Sequence, residues 1–221
     1  MNFTAIQKVG EIRELIHGAL EYLHNYADER EEGIDFRRAF AATDTLLDVS
    51  ESVYALREEP WPASIGMAYL LSDGILQMLI KQQDAVQQLA KVFNLQWKIR
   101  DSEALTGIRD RRNQTTGHPV HHSERRPNSG STFLVRQSPG PFKVATGTYF
   151  DKGGFEHTEL DLTAMIEAQH LELLSVMRLI WGEILVRFPE AAHFRWSPWI
   201  ATERLPLLSF PSWPFGELPV A

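Results

Sequence analysis

Three long stretches with helical spacing of apolar residues occupy most of the first 93 residues. In the first, Phe3–Ala27, apolar residues recur every three or four positions and so share one face of a helix. The second runs from Phe36 to about Glu59, and the third from Ile65 to Phe93, roughly 30 residues or about 45 Å. Helices of this length bury their apolar faces against one another, so the pattern predicts a helical bundle.

Two further segments have helical patterns. Ser102–Arg112 has a serine cap at its start, and Gly117 and Pro119 are typical stop signals beyond its end. A last long helix follows, capped by Asp161 or Thr158. We therefore expect one bundle domain of four to five helices over residues 1–188.

Between these helices, proline, glycine and serine surround two short runs of strand-forming residues. Ser131–Arg136 and Phe142–Phe150 are separated by Ser138-Pro139-Gly140-Pro141, which predicts a small β-hairpin inserted at about 121–156. Residues 189–221 are rich in tryptophan, phenylalanine and proline, and we expect an extended arm that packs on the bundle or on a partner. The expected fold class is all-α, with this hairpin insertion and this C-terminal arm.

Composition excludes several classes of protein. The chain has 221 residues, of which 43% are hydrophobic and 23% charged, typical of a globular protein. Its formal charge of −7 argues against a protein that coats nucleic acid with its whole surface. The absence of cysteine excludes disulfides, thiolate metal sites and a cysteine nucleophile. No apolar segment of about 20 residues and no signal pattern are present, so we expect a cytoplasmic protein without a membrane contact.

One segment reverses the overall acidity. Between residues 109 and 126 five arginines face two acidic residues, a local charge of +3, and three histidines accompany them. A cationic patch at a helix end, with a histidine that titrates near neutral pH, can bind a phosphodiester and move a proton beside it. The candidate RNA- or phosphate-binding residues in this segment are Arg109, Arg111, Arg125, Arg126, His121 and His122.

The same segment resembles the signature of the HEPN superfamily. Arg112 is followed at once by the polar Asn113 and, after five intervening residues, by His118, which Gly117 precedes and Pro119 follows. That family is an all-α bundle whose motif is an arginine, a polar neighbour and a histidine. Many members are metal-independent ribonucleases of toxin–antitoxin and defence systems and act as dimers, while others are inactive or bind nucleotides.

The resemblance implies roles for three residues. Arg112 would hold the scissile phosphate, His118 would exchange a proton with the 2′-hydroxyl or the leaving oxygen, and Asn113 would orient one of them. The nucleophile would be the 2′-hydroxyl, so the substrate would be RNA and neither a metal nor a cofactor is expected. On a regular helix Arg112 and His118 lie about 120° apart. Either the chain folds back at Gly117, or the working pair forms across the axis of a homodimer.

Each residue also has a simpler interpretation. Arg112 is compatible with a surface arginine near a helix C-terminus, and His118 with a cap on the same helix end. The other arginines would then be solvated charges. His118, His121 and His122 suggest zinc, but the sequence has no thiol, no His-x3-His pair on a regular helix and no obvious third ligand. Asp73 and Asp84 could support the arginine, although exposure to solvent is the simpler expectation for both.

Two functions of other classes therefore remain open. A non-catalytic bundle would use the aromatic arm for assembly and would not bind RNA. A nucleotide-binding module, or the partner of an antitoxin protein, would use the basic patch without cleavage. The favoured hypothesis is an HEPN-like protein that cleaves or binds RNA in a prokaryotic defence or toxin–antitoxin system.

Overall fold

A computed structural model describes residues 3–26, 33–117, 130–135, 140–150 and 152–193. In this part of the chain the fold is mostly helical and carries a small three-stranded antiparallel sheet. The helices are α1 (Phe3–Tyr26), α2 (Phe36–Glu58), α3 (Ile65–Val92), α4 (Glu103–Arg112) and α5 (Leu162–Arg187). The strands are β1 (Gly130–Leu134), β2 (Lys143–Phe150) and β3 (Phe155–Asp161).

The long helices α1, α2, α3 and α5 enclose a core of two adjoining parts. One part lies between the C-terminal halves of α1, α3 and α5 and includes Leu20, Leu89 and Ile180, all completely buried. The other joins the bundle to the sheet and includes Leu79, Leu162 and Ile166, also completely buried. Helix α4 is shorter and packs across α3 and α5 with Leu105 and Ile108. The prediction of a helical bundle is therefore confirmed for the described residues.

The expected hairpin is a three-stranded sheet, so that prediction was incomplete. β2 is the central strand and pairs antiparallel with β1 and with β3. β3 was missed because its sequence, Phe-Glu-His-Thr-Glu-Leu-Asp, is mostly polar, and of its residues only Leu160 is buried. Of the two caps expected for α5, Asp161 is the one observed, and its Oδ1 accepts a hydrogen bond of 2.9 Å from the Ala164 amide. Thr158, the other candidate, lies within β3.

Beyond α5, Pro189–His193 form a short 3-10 helix, and Ala191 is buried in the main core. The bundle therefore continues to the start of the predicted C-terminal arm. Residues 194–221 of that arm, and residues 118–129 before β1, lie outside the described residues. Within the described ranges, no helix is long and apolar enough to cross a membrane.

Candidate functional site

Arg112 is held at the C-terminal end of α4 by side chains of two elements. α4 runs antiparallel to α3, and this brings the Arg112 guanidinium to Gln77 of α3. Its Nε and Nη2 donate to Gln77 Oε1 at 3.1 and 2.8 Å. Its Nη1 donates to Oδ1 of Asn113, the next residue, at 3.1 Å. Both of these acceptors are neutral amides, and together they fix the orientation of the guanidinium.

The chain after Arg112 does not continue as a regular α-helix. Asn113–Gly117 form a π-helix, which is wider than an α-helix. Such turns are rare in proteins, and many of those that occur lie at functional sites. The expected 120° separation of Arg112 and His118 applied to a regular helix, and that condition is not met over Asn113–Gly117. Asn113 Oδ1 accepts a hydrogen bond from Arg112, and His118 lies outside the described residues.

A chain of buried amides lies behind α4 and connects it to α5. Gln82 and Gln83 of α3 and Gln169 and His170 of α5 are all completely buried. Gln83 Nε2 donates to Gln169 Oε1 at 2.7 Å, and Gln169 Nε2 donates to Gln82 Oε1 at 2.7 Å. The remaining N–H groups of Gln83 and Gln169 reach the main-chain oxygens of Leu105 and Leu79.

Both ends of this amide chain fix the direction of its hydrogen bonds. At one end Arg109, which has only donors, gives its Nε–H to Gln83 Oε1 at 2.8 Å. At the other, Gln82 Nε2 lies 3.1 Å from His170 Nε2, and His170 Nδ1 lies 2.8 Å from the Ile166 carbonyl oxygen. Because a carbonyl only accepts, His170 carries its proton on Nδ1 and accepts from Gln82 on Nε2.

A second proton on His170 would face the Gln82 amide with a donor, so the network requires the neutral ring. Burial lowers the pKa of His170, because the charged imidazolium loses its hydration. The hydrogen bond to Ile166 opposes this effect and is the smaller cause. The neutral histidine is thus a structural part of the link between α3 and α5.

This arrangement predicts that acid destabilises the fold. Below about pH 6.5 the unfolded chain takes up a proton at His170 that the folded chain excludes, so the free energy of unfolding falls as the pH falls. Each excluded proton contributes at most about 1.4 kcal/mol per pH unit. Urea unfolding at pH 7.5 and 5.5 measures the loss, which we expect to be smaller in His170→Gln. The pKa of His17 is also lowered by burial, so His17→Gln is the matched comparison. Equal pH dependence in wild type and His170→Gln would contradict this role.

Arg109 connects the amide chain to the surface. Besides its bond to Gln83, its Nη2 forms an ion pair with Asp84 of α3. It also lines a shallow cleft of about 400 Å³ together with Lys98, Arg100 and Thr106. Lys98 and Arg100 therefore share this cleft with Arg109, which lies one helical turn before Arg112 and whose own charge is paired with Asp84.

The other candidate residues are placed as follows. Arg111 is exposed, and its Nη1 reaches Gln114 Oε1 at 3.4 Å. Asp84 is exposed as expected and supports Arg109 rather than Arg112. Asp73 is half-buried, its Oδ1 accepts no hydrogen bond within the described residues, and desolvation raises its pKa. The remaining candidates lie outside the described residues: Arg125, Arg126, His121 and His122.

Metal binding finds no support in the described part of the chain, where no group of three His, Asp or Glu side chains is arranged to hold an ion. The three histidines that suggested zinc, His118, His121 and His122, are outside it.

Sequence reasoning missed the residues that position the arginines. Gln77, Gln83 and Gln169 were not singled out, and neither were Lys98 and Arg100. The available signal was the adjacent pair Gln82-Gln83 of α3, which the apolar spacing of that helix turns inward, matched by Gln169-His170 in α5. Polar pairs at positions that the helical period turns inward indicate a buried hydrogen-bond network.

Comparisons with known proteins give no match: no protein-family model fits the chain, and no curated protein or solved structure resembles it significantly.

Proposed function

We propose that this protein is an HEPN-like, metal-independent endoribonuclease of a prokaryotic defence or toxin–antitoxin type, and that it acts as a homodimer. Arg112 holds the scissile phosphate and stabilises the charge that develops on it. His118 exchanges a proton with the 2′-hydroxyl or the leaving 5′-oxygen. The 2′-hydroxyl attacks the phosphorus, the bond to the 5′-oxygen breaks, and the products carry a 2′,3′-cyclic phosphate and a 5′-hydroxyl.

The observation that carries this proposal is the fixation of Arg112 by Gln77 and Asn113. An arginine that serves only as a solvated helix-end charge needs no such support. Here two neutral amides orient the guanidinium at the helix end from which the chain continues towards His118. Pre-organised charge of this kind stabilises a developing phosphorane more than a mobile side chain does.

The cleft beside α4 supports an extended polyanion as ligand. Lys98 and Arg100 line it together with Arg109, which is paired with Asp84 and lies one helical turn before Arg112. Because the whole chain carries a formal charge of −7, RNA would bind at this local site and not over the whole surface of the protein. Phosphates flanking the scissile one would lie along it, in agreement with RNA rather than a mononucleotide as ligand.

The first experiment incubates the protein with a mixed-sequence RNA and with DNA of the same sequence, both in EDTA. We expect the RNA to be cut and the DNA to remain intact, because only RNA contains the internal nucleophile. Cleavage of both polymers, or a requirement for a divalent ion, would exclude this mechanism.

A mixing experiment determines whether Arg112 and His118 act within one protomer or across the dimer axis. Arg112→Ala and His118→Ala proteins are each inactive on this account. If the working pair joins two protomers, a mixed dimer contains one complete pair and regains activity. If the pair lies within one protomer, mixing restores nothing. The control is each variant alone, taken through the same mixing procedure.

One observation favours the alternative of an assembly protein. On α5, Leu171, Leu179 and Val186 are exposed by 62%, 61% and 80% and share one face at spacings of about two helical turns. Such an apolar stripe is suited to contact with another helix. If Leu171→Lys and Leu179→Lys dissociate an oligomer while wild type neither binds nor cuts RNA, the assembly function replaces the ribonuclease.

A further inference from the structure

Three aromatic side chains share the face of the sheet that points away from the bundle. In the antiparallel register Phe133 of β1 is opposite Gly147 of β2, and Tyr149 of β2 is opposite Phe155 of β3. Residues opposite each other, and residues two apart on one strand, project to the same side. The other side carries Val144 and Leu160, which are buried in the core. Phe133, Tyr149 and Phe155 therefore form one outward surface, here called the aromatic platform.

The rings of the platform are close together and open to solvent. Ring centroids are 5.7 Å apart for Phe133 and Tyr149, 6.4 Å for Phe133 and Phe155, and 5.0 Å for Tyr149 and Phe155. The plane of Phe133 is inclined by 25° to Tyr149 and by 27° to Phe155. The three residues are exposed by 40%, 60% and 52%. An exposed group of three rings is costly to leave in water unless it binds something.

Gly147 leaves room for two of these rings above the central strand. A Cβ at this position would lie 2.7 Å from Phe133 Cζ and 2.8 Å from Phe155 Cε2. The two rings thus occupy the space above the central strand that any other residue would fill. Because no side chain stands at Gly147, Phe133 and Phe155 lie close to the β2 backbone and close to each other, and the exposed parts of the rings are available to stack on another planar group.

The strand β1, which carries Phe133, packs against the π-helix Asn113–Gly117. This π-helix directly follows Arg111 and Arg112, so the sheet is joined to the segment that carries these two cations. At the far end of the platform face, Glu159 is neutralised by Lys143 at 2.7 Å. The sheet therefore offers planar apolar groups and is in contact with the segment that follows two arginines, a combination that complements bases on a phosphate backbone.

We propose that the aromatic platform stacks unpaired bases of single-stranded RNA whose phosphates contact Arg111 and Arg112. This inference rests on the proposed function and specifies its substrate as unpaired RNA. Bases within a duplex already stack on one another and cannot cover a protein ring. Sheets with exposed aromatic residues elsewhere hold two or three unpaired bases in this way.

The test measures binding of a fluorescein-labelled 12-nucleotide oligouridylate with 2′-O-methyl groups, which cannot be cut, in EDTA. We expect Tyr149→Leu to weaken binding by about tenfold and the triple variant F133L/Y149L/F155L by more, since each stacked base contributes substantially. Tyr149→Phe retains the ring and is the matched control, expected to bind like wild type. The same oligonucleotide in a blunt duplex with oligoadenylate should bind more weakly to wild type and equally to all variants.

A salt series and a crosslink separate stacking from charge. Platform variants should keep the wild-type dependence of affinity on salt, whereas Arg111→Ala should reduce that dependence because one phosphate contact is lost. Photocrosslinking of 5-iodouridine RNA should modify Phe133, Tyr149 or Phe155. This readout needs only wild type and holds even if the triple variant fails to fold.

The outcomes distinguish the platform from the nuclease. If wild type binds and cuts RNA while Tyr149→Leu binds as tightly and no platform residue crosslinks, the platform is overturned and the proposed function stands. If the platform residues crosslink and their loss weakens binding but wild type cuts nothing, the platform stands and the nuclease fails. If wild type binds no RNA, or sedimentation shows that the platform variants dissociate an oligomer without affecting RNA binding, the platform is overturned.

Discussion

Replacement of Arg112 by alanine should reduce RNA cleavage by about 10²–10³-fold, the loss typical when one oriented donor to a developing oxyanion is removed. Arg112→Lys should lose nearly as much. A lysine ammonium cannot reproduce the two bonds from Nε and Nη2 to Gln77 together with the bond to Asn113. The loss should appear in kcat more than in KM, because the guanidinium acts mainly on the transition state.

Two variants control this prediction. Arg111→Ala removes an equal charge from the neighbouring exposed position and should reduce cleavage only a few-fold. Gln77→Leu keeps the arginine but removes its acceptor, and we expect an intermediate loss of about tenfold in kcat. If Arg111→Ala is as damaging as Arg112→Ala, the effect is one of general charge and the assigned role of Arg112 is wrong. Thermal unfolding of each variant shows whether the fold is retained.

The second large effect is expected in the buried amide chain. Gln169→Leu removes the centre of the chain and leaves Gln83 Nε2, Gln82 Oε1 and the Leu79 oxygen without their partner. Each such group costs about 1–3 kcal/mol when it stays buried, so a loss of about 3 kcal/mol in the free energy of unfolding is expected. Urea denaturation measures it. Gln88→Leu, at a half-buried position of α3, is the control and should change stability by less than about 0.5 kcal/mol.

A double variant tests whether these amides act as a unit. Gln82→Leu and Gln169→Leu each strand the other residue's hydrogen-bonding group. Together they remove both groups at once, so the double variant should cost less than the sum of the two single losses. Strict additivity would show that the residues contribute independently and that the chain of hydrogen bonds has no collective role.

The helices could be predicted because their signal is local. Apolar periodicity in α1, α2, α3 and α5 is continuous over more than 20 residues, and Ser102 and Asp161 have the side chains that caps require. β3 could not be found in the same way. Its residues are polar because one face is open to solvent, and its pairing with β2 is a contact that no local pattern expresses.

In the candidate site, too, some residues could be predicted from the sequence and others could not. Arg112 and Asn113 were found from a motif, which is a property of neighbouring residues. Gln77, 35 positions earlier, and Gln169, on another helix, reach the arginines only through the packing of α3, α4 and α5. The aromatic platform likewise needs the strand register that brings Phe133, Tyr149 and Phe155 together. Helical spacing also does not predict the π-helix at Asn113–Gly117, which is seen only in the structure.

The most direct test of the ribonuclease is the identity of its product ends. Wild type and His118→Ala are incubated with a mixed-sequence RNA in EDTA, and the 3′ ends are analysed by mass spectrometry. The account predicts 2′,3′-cyclic phosphates from wild type and no cleavage above background from His118→Ala. Intact RNA with wild type, or equal cleavage by His118→Ala, would contradict it.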